Sequence, residues 1–343
     1  MNNVDVNSIK IGVVGAGSWG TTLADLLGEK GFKVDHWVFE AEVRKQIQEH
    51  RENRVFLPGF TLSPNIFPTD DLAHVVSGKD IVLIVVPSHF MRETAKKTAG
   101  NISNKTIIVS ASKGIENKTH LTMSGVLKET LPEIPENNFA VLSGPSFAKE
   151  VAAKTPTLIA VASNDKKTAG FVQHVFATPN FRVYTSSDII GVELGGSVKN
   201  VIAIAAGIAD GLGLGLNTRA ALITRGLTEM RRLGLKLGAN PRTFTGLAGV
   251  GDLILTCTGD LSRNHTVGKQ IGEGKKIKAI LSEMRMVAEG VKTARSVYNL
   301  SKKLGVEMPI SNEIYHILYD DFSPKEALYR LMTRNLKQEL DEK

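Results

Sequence analysis

Three glycines, Gly15, Gly17 and Gly20, stand in the spacing G-x-G-x-x-G directly after an apolar run from Ile9 to Val14. A helical pattern follows through Leu23, Ala24, Leu26 and Leu27. Strand, glycine turn and helix in that order are what a dinucleotide pyrophosphate needs. Gly15 permits the tight turn, Gly17 lets backbone approach the phosphates, and Gly20 lets the helix pack close to the strand. The helix begins with unpaired N–H groups and a partial positive charge, which suits an anion. A second apolar run, Val34 to Phe39, ends at Glu40. A carboxylate there can accept hydrogen bonds from ribose hydroxyls. Glu40 would repel a 2′-phosphate and so favours NAD. Arg44, one helical turn on, could offset that, and the choice between NAD and NADP stays open.

Other polar residues sit where apolar ones are expected. Lys199 and Asn200 interrupt V-K-N-V-I-A-I-A-A-G. Burying an ammonium is costly unless it is paired or neutral, and desolvation lowers its pKa toward a range useful for acid–base work. The alternative is a lysine that snorkels to water. Lys113, in a Ser-Lys-Gly loop after a strand, could hold a phosphate or carbonyl oxygen, or be an exposed loop lysine. Asp252 stands amid apolar residues and could orient Lys199, bind a substrate hydroxyl, or cap the helix over 253–257. Ser262-Arg263-Asn264 offers a guanidinium at a helix start, a good phosphate grip; a surface turn reads equally well. Glu289 is a helix cap or a cofactor contact. His89, His174 and His265 have no spacing that implies a metal, and they read as structural or surface residues.

The elements that must position these groups alternate between strand and helix through the first half. Ile81–Val86 is an uninterrupted apolar run, as a parallel strand buried on both faces should be. Ile107–Val109, Ala140–Leu142, Leu158–Ala162 and Phe181–Tyr184 read as further strands, with a helix over Lys166–Phe176. Polar, Gly-bearing loops follow several of them, where an open α/β sheet binds ligands. From Glu193 onward the alternation vanishes. Helices are expected over Val198–Ala209, Thr218–Leu237, Arg263–Gly272, Val291–Leu304, Ser311–Tyr319 and Pro324–Leu331, the last with Ser323 as N-cap. The expected class is α/β, a Rossmann-like doubly wound sheet domain over 1–190 followed by an all-α substrate-binding domain over 191–343.

Composition narrows the function classes. The 343 residues are 42% hydrophobic, ample for two cores. No uninterrupted apolar run reaches the ~18 residues of a membrane span, and Met1–Ser8 lacks a signal-peptide core. The single cysteine, Cys257, excludes an internal disulfide and fits a reducing cytoplasm. The net charge of +7 is scattered. With no aromatic-basic interleaving or basic recognition helix, a small phosphorylated ligand explains it at least as well as nucleic acid or an anionic membrane surface. An apolar, Ala-rich helical half is compatible with a homodimer without demanding one.

The segments G-A-G-S-W-G-T-T-L-A, V-P-S-H, S-K-G-I-E, L-S-G-P-S-F-A-K-E-V, E-L-G-G-S-V-K-N-V-I-A-I-A-A-G, G-L-A-G-V-G-D-L-I-L-T-C and S-R-N run in order from residue 11 to about 295. Together they resemble the bacterial NAD(P)-dependent glycerol-3-phosphate dehydrogenase family. The resemblance implies reversible hydride transfer between NAD(P)H and dihydroxyacetone phosphate, giving sn-glycerol 3-phosphate for phospholipid synthesis. It implies that Lys199 exchanges the C2 hydroxyl proton and that Lys113 contacts substrate and cofactor. Arg263 and Asn264 match a phosphate grip, with Ser262 beside them, and Arg263 also matches a cofactor contact. Asn200, Asp252 and Thr256 match further substrate positions. Gly144, Ser146 and Ala148 match the nicotinamide loop, Ser18 and Trp19 the pyrophosphate loop, and Phe39 and Glu40 the adenosine ribose site. Val287 and Glu289 match late cofactor contacts. An Arg at the Glu40 strand end, which would point to a 2′-phosphate, is missing. The nearer rival is a β-hydroxyacid dehydrogenase, which shares the two-domain plan; a catalytically silent dinucleotide sensor is the more distant one.

Overall fold

The computed structural model describes residues 8–284 and 288–339. Its first half is one sheet of eight short strands: β1 (Ile11–Val14), β2 (Val34–Trp37), β3 (Ile66–Thr69), β4 (Ile81–Ile84), β5 (Ile107–Ser110), β6 (Phe139–Ser143), β7 (Thr157–Ala162) and β8 (Phe181–Ser186). Between them lie α1 (Ser18–Glu29), α2 (Ala41–His50), α3 (Leu72–Val76), α4 (Met91–Thr98), α5 (Met123–Thr130), α6 (Ala148–Ala152) and α7 (Lys166–Phe176). The strand order is β3-β2-β1-β4-β5-β6-β7-β8, which reverses direction between β1 and β4. That reversal is where an open α/β sheet leaves a crevice for a ligand.

The apolar runs explain the layering. Ile81 and Leu83 of β4 join the core on one face of the sheet, while Val82 and Ile84 join the core on the other. A strand with helices on both sides has no polar face to spare. The edge strand β3, which includes Pro68, has no sequence signature of this kind and is seen only in the fold. All neighbouring pairs are parallel except β6 with β7, so β7 and β8 run opposite to the other six. Apolar pattern carries no information about strand direction.

The second half is helical: α8 (Ile189–Gly211), α9 (Gly215–Lys236), α10 (Asp252–Thr258), α11 (Arg263–Gly272), α12 (Ile277–Glu283), α13 (Glu289–Leu304), α14 (Pro309–Tyr319) and α15 (Pro324–Met332). The Ser323 hydroxyl accepts the Glu326 amide at 3.1 Å, capping α15 as its sequence predicts. α8 is the axis, packed against α9, α10, α11, α13 and α14. By composition it is long and apolar enough to cross a membrane, but 94% of the apolar window lies inside the protein. It is a core helix.

Two features lock α8 to the sheet half. The Glu193 carboxylate, fully buried, accepts the Ser124 amide at 2.7 Å and the Ser124 hydroxyl at 2.5 Å, at the start of α5. Gly196 then allows close approach to the sheet half, as Gly195 does to the segment before α10. A Cβ on Gly195 would lie 2.1 Å from the Ala248 carbonyl oxygen, and one on Gly196 would lie 2.5 Å from the Ser143 hydroxyl. Replacing Gly195 by Ala is therefore expected to push α8 off a backbone neighbour. Overpacking of this kind costs ~1–3 kcal/mol. Urea denaturation should show the midpoint falling, and an unchanged midpoint would mean that this contact yields freely.

Candidate active site

The loops that leave β4, β5 and β6 meet α8, the start of α10 and the start of α13. Lys199 lies on the buried surface of α8. Its ammonium donates to Asp252 Oδ1 and, at 2.7 Å, to Thr256 Oγ1. Asp252 is the first residue of α10, and Gly251 occupies the N-cap position. Its side chain does not cap the helix. Its second oxygen, Oδ2, takes the Lys113 ammonium at 2.8 Å, from the loop after β5. Lys113 also reaches the Gly144 carbonyl, after β6, at 3.4 Å. One buried carboxylate thus serves two lysines from opposite halves of the chain. The snorkelling and loop-lysine alternatives do not describe these side chains.

Burial pulls the Lys199 ammonium down from its ordinary 10.5 to about 7. Asp252 opposes that fall by attraction, and the positive charge of Lys113 adds to it. An amine balanced near neutrality can both give and take a proton. Thr256 orients this centre, since its hydroxyl lies 2.6 Å from the Asp252 carbonyl one turn back. Cys257, the next residue, is buried in the helical core, and desolvation pushes its thiol up to about 12. It is an apolar core residue.

A second group of contacts surrounds the first. Asn264 on α11 donates to Asn200 Oδ1 at 3.1 Å and accepts the Gly290 amide at 2.9 Å, clamping α8, α11 and α13 together. The Ser262 hydroxyl caps α11 by accepting the His265 amide at 3.2 Å. Arg263 is exposed at the first position of that helix, in the electrostatic reach of Glu289. Glu289 accepts the Ser88 amide at 3.3 Å and its hydroxyl at 2.6 Å, tying α13 to the loop after β4. Burial raises the Glu289 pKa. Val287 lies outside the described residues. His265 pairs with Asp210 at 2.6 Å, a structural contact.

The glycine turn forms the other end of the site. Gly15 has φ +111°, and a Cβ on Gly20 would lie 2.0 Å from the Gly15 carbonyl oxygen. Around Gly17, by contrast, no atom lies within 4 Å of a Cβ position. The turn is tight on its protein side and open on its outer side. Gly17 is the N-cap of α1 and supplies no side-chain cap, so the first amides of the helix face outward uncapped. This fits a dinucleotide pyrophosphate. Ser18 and Trp19 are partly committed elsewhere: Ser18 Oγ donates to the Phe56 carbonyl at 2.5 Å, and Trp19 packs on Phe181 with ring centres 6.5 Å apart. Ala148 starts α6, and its carbonyl lies 3.3 Å from the Thr22 hydroxyl of α1. The Ser146 hydroxyl folds back on the Gly144 carbonyl at 3.0 Å. Phe39 and Glu40 are exposed just beyond β2.

Sequence reasoning missed the supports of this turn. Buried His36 approaches the Gly15 carbonyl at 3.1 Å, and desolvation holds its pKa near 4, so the ring stays neutral. Asn53 donates to the Ala16 carbonyl at 2.9 Å and to the Thr21 hydroxyl at 2.8 Å. Ser88 stands in the V-P-S-H segment, but its bond to Glu289 is visible only in the fold. No local pattern connects these residues to the turn or to Glu289, because the contacts span tens to hundreds of residues.

Residues 10–169 match the family described as NAD-dependent glycerol-3-phosphate dehydrogenase N-terminus, and residues 188–329 match its C-terminus. The chain is 56% identical over 331 residues to a glycerol-3-phosphate dehydrogenase (NAD(P)+) of Syntrophobacter fumaroxidans, covering 96% of this chain and 97% of that one. It is similar in structure to a glycerol-3-phosphate dehydrogenase from Coxiella burnetii, with a TM-score of 0.91 and 41% identity, covering 94% and 98% of the two chains. A Plasmodium falciparum glycerol-3-phosphate dehydrogenase aligns with a TM-score of 0.85 at 25% identity, covering 96% and 97%.

Removing the shared carboxylate tests the electrostatic design. Asp252→Asn removes the attraction that keeps a proton on Lys199, so near neutral pH the Lys199 amine becomes neutral and the Lys113 ammonium is left without its carboxylate. Breaking a buried ion pair from one side typically costs ~3–5 kcal/mol. Chemical denaturation near neutral pH should show a loss of that order, and a loss below about 1 kcal/mol, the scale of an exposed pair, would mean that water reaches the lysines.

Proposed function

The chain belongs to the NAD-dependent glycerol-3-phosphate dehydrogenase family, and we infer from its site how it carries out that family's reaction. It is an oxidoreductase that moves a hydride between NAD(P)H and dihydroxyacetone phosphate, giving sn-glycerol 3-phosphate. We propose that the chemistry sits where the glycine turn of the first half faces Lys199 of the second. The observation that carries this reading is the buried carboxylate of Asp252, which pairs with Lys199 and Lys113 at once.

We propose that Gly15, Gly17, Ser18, Trp19 and Gly20 hold the pyrophosphate, that Phe39 and Glu40 hold the adenosine ribose, and that Gly144, Ser146 and Ala148 line the far end. Arg263, Lys113, Val287 and Glu289 complete the cofactor contacts. The reduced nicotinamide supplies the hydride. The substrate phosphate is gripped by Arg263 and by the start of α11, beside Ser262 and Asn264. Gripping the phosphate orients the three-carbon chain, and orientation is a large part of the rate enhancement. Negative charge that grows on the C2 oxygen is met by the Lys199 ammonium, which then passes its proton to that oxygen. Lys113 adds a second positive charge, while Asp252, Thr256 and Asn200 fix the lysine and its surroundings. In the reverse direction neutral Lys199 takes the hydroxyl proton.

The division into a dinucleotide-binding domain over 1–190 and a substrate-binding domain over 191–343 is part of the proposal, supported by the change to an all-helical texture at α8. So are the absence of a nucleic-acid partner and the compatibility of the helical half with a homodimer. A cytoplasmic setting, where the product feeds glycerophospholipid synthesis, is supported by one buried, unreactive thiol.

Lys199→Ala is expected to lower kcat by ~10²–10⁴, the usual contribution of general acid–base catalysis, while cofactor binding persists. Activity within a few-fold of the parent would discard the role. The amine is protonated below about pH 7 and neutral above it. The value of kcat/KM for ketone reduction should therefore fall as pH rises through about 7, and that for alcohol oxidation should rise over the same range; parallel profiles would contradict the assignment. Arg263→Ala should raise KM for dihydroxyacetone phosphate, and by a larger factor than it raises KM for the dinucleotide. An unaltered KM would place the phosphate grip elsewhere.

A further inference from the structure

We propose that this enzyme selects the dinucleotide lacking a 2′-phosphate, NAD(H) over NADP(H), because Glu40 stands unneutralised at the ribose end while Asp70 occupies Arg44. The inference rests on the dinucleotide reading of the Gly15–Gly20 turn.

β2 and β3 are parallel with Trp37 opposite Thr69, so their carboxyl ends emerge side by side. The Val38 amide bonds the Thr69 carbonyl at 2.8 Å and extends the pairing one step. Glu40 lies just past one exit and Asp70 just past the other. Glu40 is the N-cap of α2, yet its side chain makes no capping hydrogen bond. Its carboxylate is exposed, with no hydrogen-bond partner among the described residues. A free carboxylate at this strand end can accept the two ribose hydroxyls, and it repels a phosphate in place of one of them.

Arg44 is the cation that could reverse this preference. Its amide bonds the Glu40 carbonyl at 3.0 Å, one turn into α2. Its guanidinium, however, reaches across to Asp70, with Nη1 2.9 Å from Oδ2. Asp70 is held in place in turn, since its backbone carbonyl accepts the Trp37 indole N–H at 3.1 Å. The next residue, Asp71, adds another carboxylate, which caps α3 through the His74 amide at 3.0 Å. The local sum is negative: Arg44 and Asp70 cancel, and Glu40 and Asp71 remain. An exposed pair such as Arg44–Asp70 adds little to stability. Its effect on selectivity is larger, because a phosphate that captured Arg44 would leave Asp70 bare beside it. A phosphate monoester brings roughly −1.5 to −2 charges into this field.

The test is the dissociation constant of NADH and of NADPH for the full chain without substrate, by calorimetry at low ionic strength. NADH is expected to bind at least ~10-fold more tightly, the scale of a like-charge contact at partly screened distance, and the ratio should shrink as salt is added. Asp70→Asn, which releases Arg44, should tighten NADPH several-fold and leave NADH unchanged. Glu40→Gln should narrow the ratio. Wild-type protein that binds NADPH as tightly as NADH overturns the proposal. So does an Arg44→Ala variant that loses NADPH affinity selectively, since Arg44 would then be gripping the phosphate. Binding of neither dinucleotide overturns this inference together with the reading beneath it, whereas tight NADPH binding overturns this inference alone.

Discussion

A carboxylate taken out of water must be compensated where it lies, and in this protein that requirement joins the two halves. Asp252 is almost fully buried and carries an ammonium on each oxygen, Lys199 from α8 and Lys113 from the loop after β5. Lys199 could not be buried there as an ammonium without the carboxylate, and the carboxylate could not be buried without cations beside it. The pairing is also unequal in charge, with two cations to one anion. That imbalance, added to desolvation, keeps Lys199 near its neutral point. A site with one lysine and one aspartate would hold its proton more firmly.

The surrounding architecture keeps that contact short. α8 is apolar on nearly every face, so hydrophobic packing places it at the centre without fixing its rotation or depth. Polar contacts supply both. Glu193 reaches the start of α5, the Ser197 hydroxyl lies 3.2 Å from the Gly114 carbonyl beside Lys113, and Asn200 meets Asn264. Gly195 and Gly196 remove the side chains that would hold the helix away. The same device recurs elsewhere. Buried Glu229 of α9 accepts the Ile310 and Ser311 amides at the start of α14, and Glu289 accepts the Ser88 amide. Glu193 and Glu229 satisfy amides at the start of a helix that lack partners within it, Glu289 satisfies one in the loop after β4, and each ties its own helix to a distant element.

The candidate site offers three electrostatic environments. The glycine turn presents uncapped backbone amides, with no lysine or arginine among the turn residues. At the start of α11 a guanidinium adds a full charge. Around Glu40 the field is negative. A ligand with a pyrophosphate in its middle, hydroxyls at one end and a phosphorylated partner beyond the other matches that sequence of environments.

The chain alone determined much of this. G-x-G-x-x-G after an apolar run specified the β1–α1 turn, and the apolar run 81–86 specified a strand buried on both faces. The periodic segments of the second half specified helices, α11 with the expected ends, as did the segment of α7 in the first half. These features are local: they depend on spacing within a few residues and on the size of a glycine. Only the tertiary structure decided the reversal of β7 and β8, the edge strand β3, and the supports His36, Asn53 and Ser88. It also decided between alternatives that the sequence left open: Asp252 reads as a helix cap or a lysine's partner, and Lys199 as buried or snorkelling. The pairing of Arg44 with Asp70 has no trace in the sequence. A side chain's partner is set by which distant element packs against it, and that information is absent from any local window of the sequence.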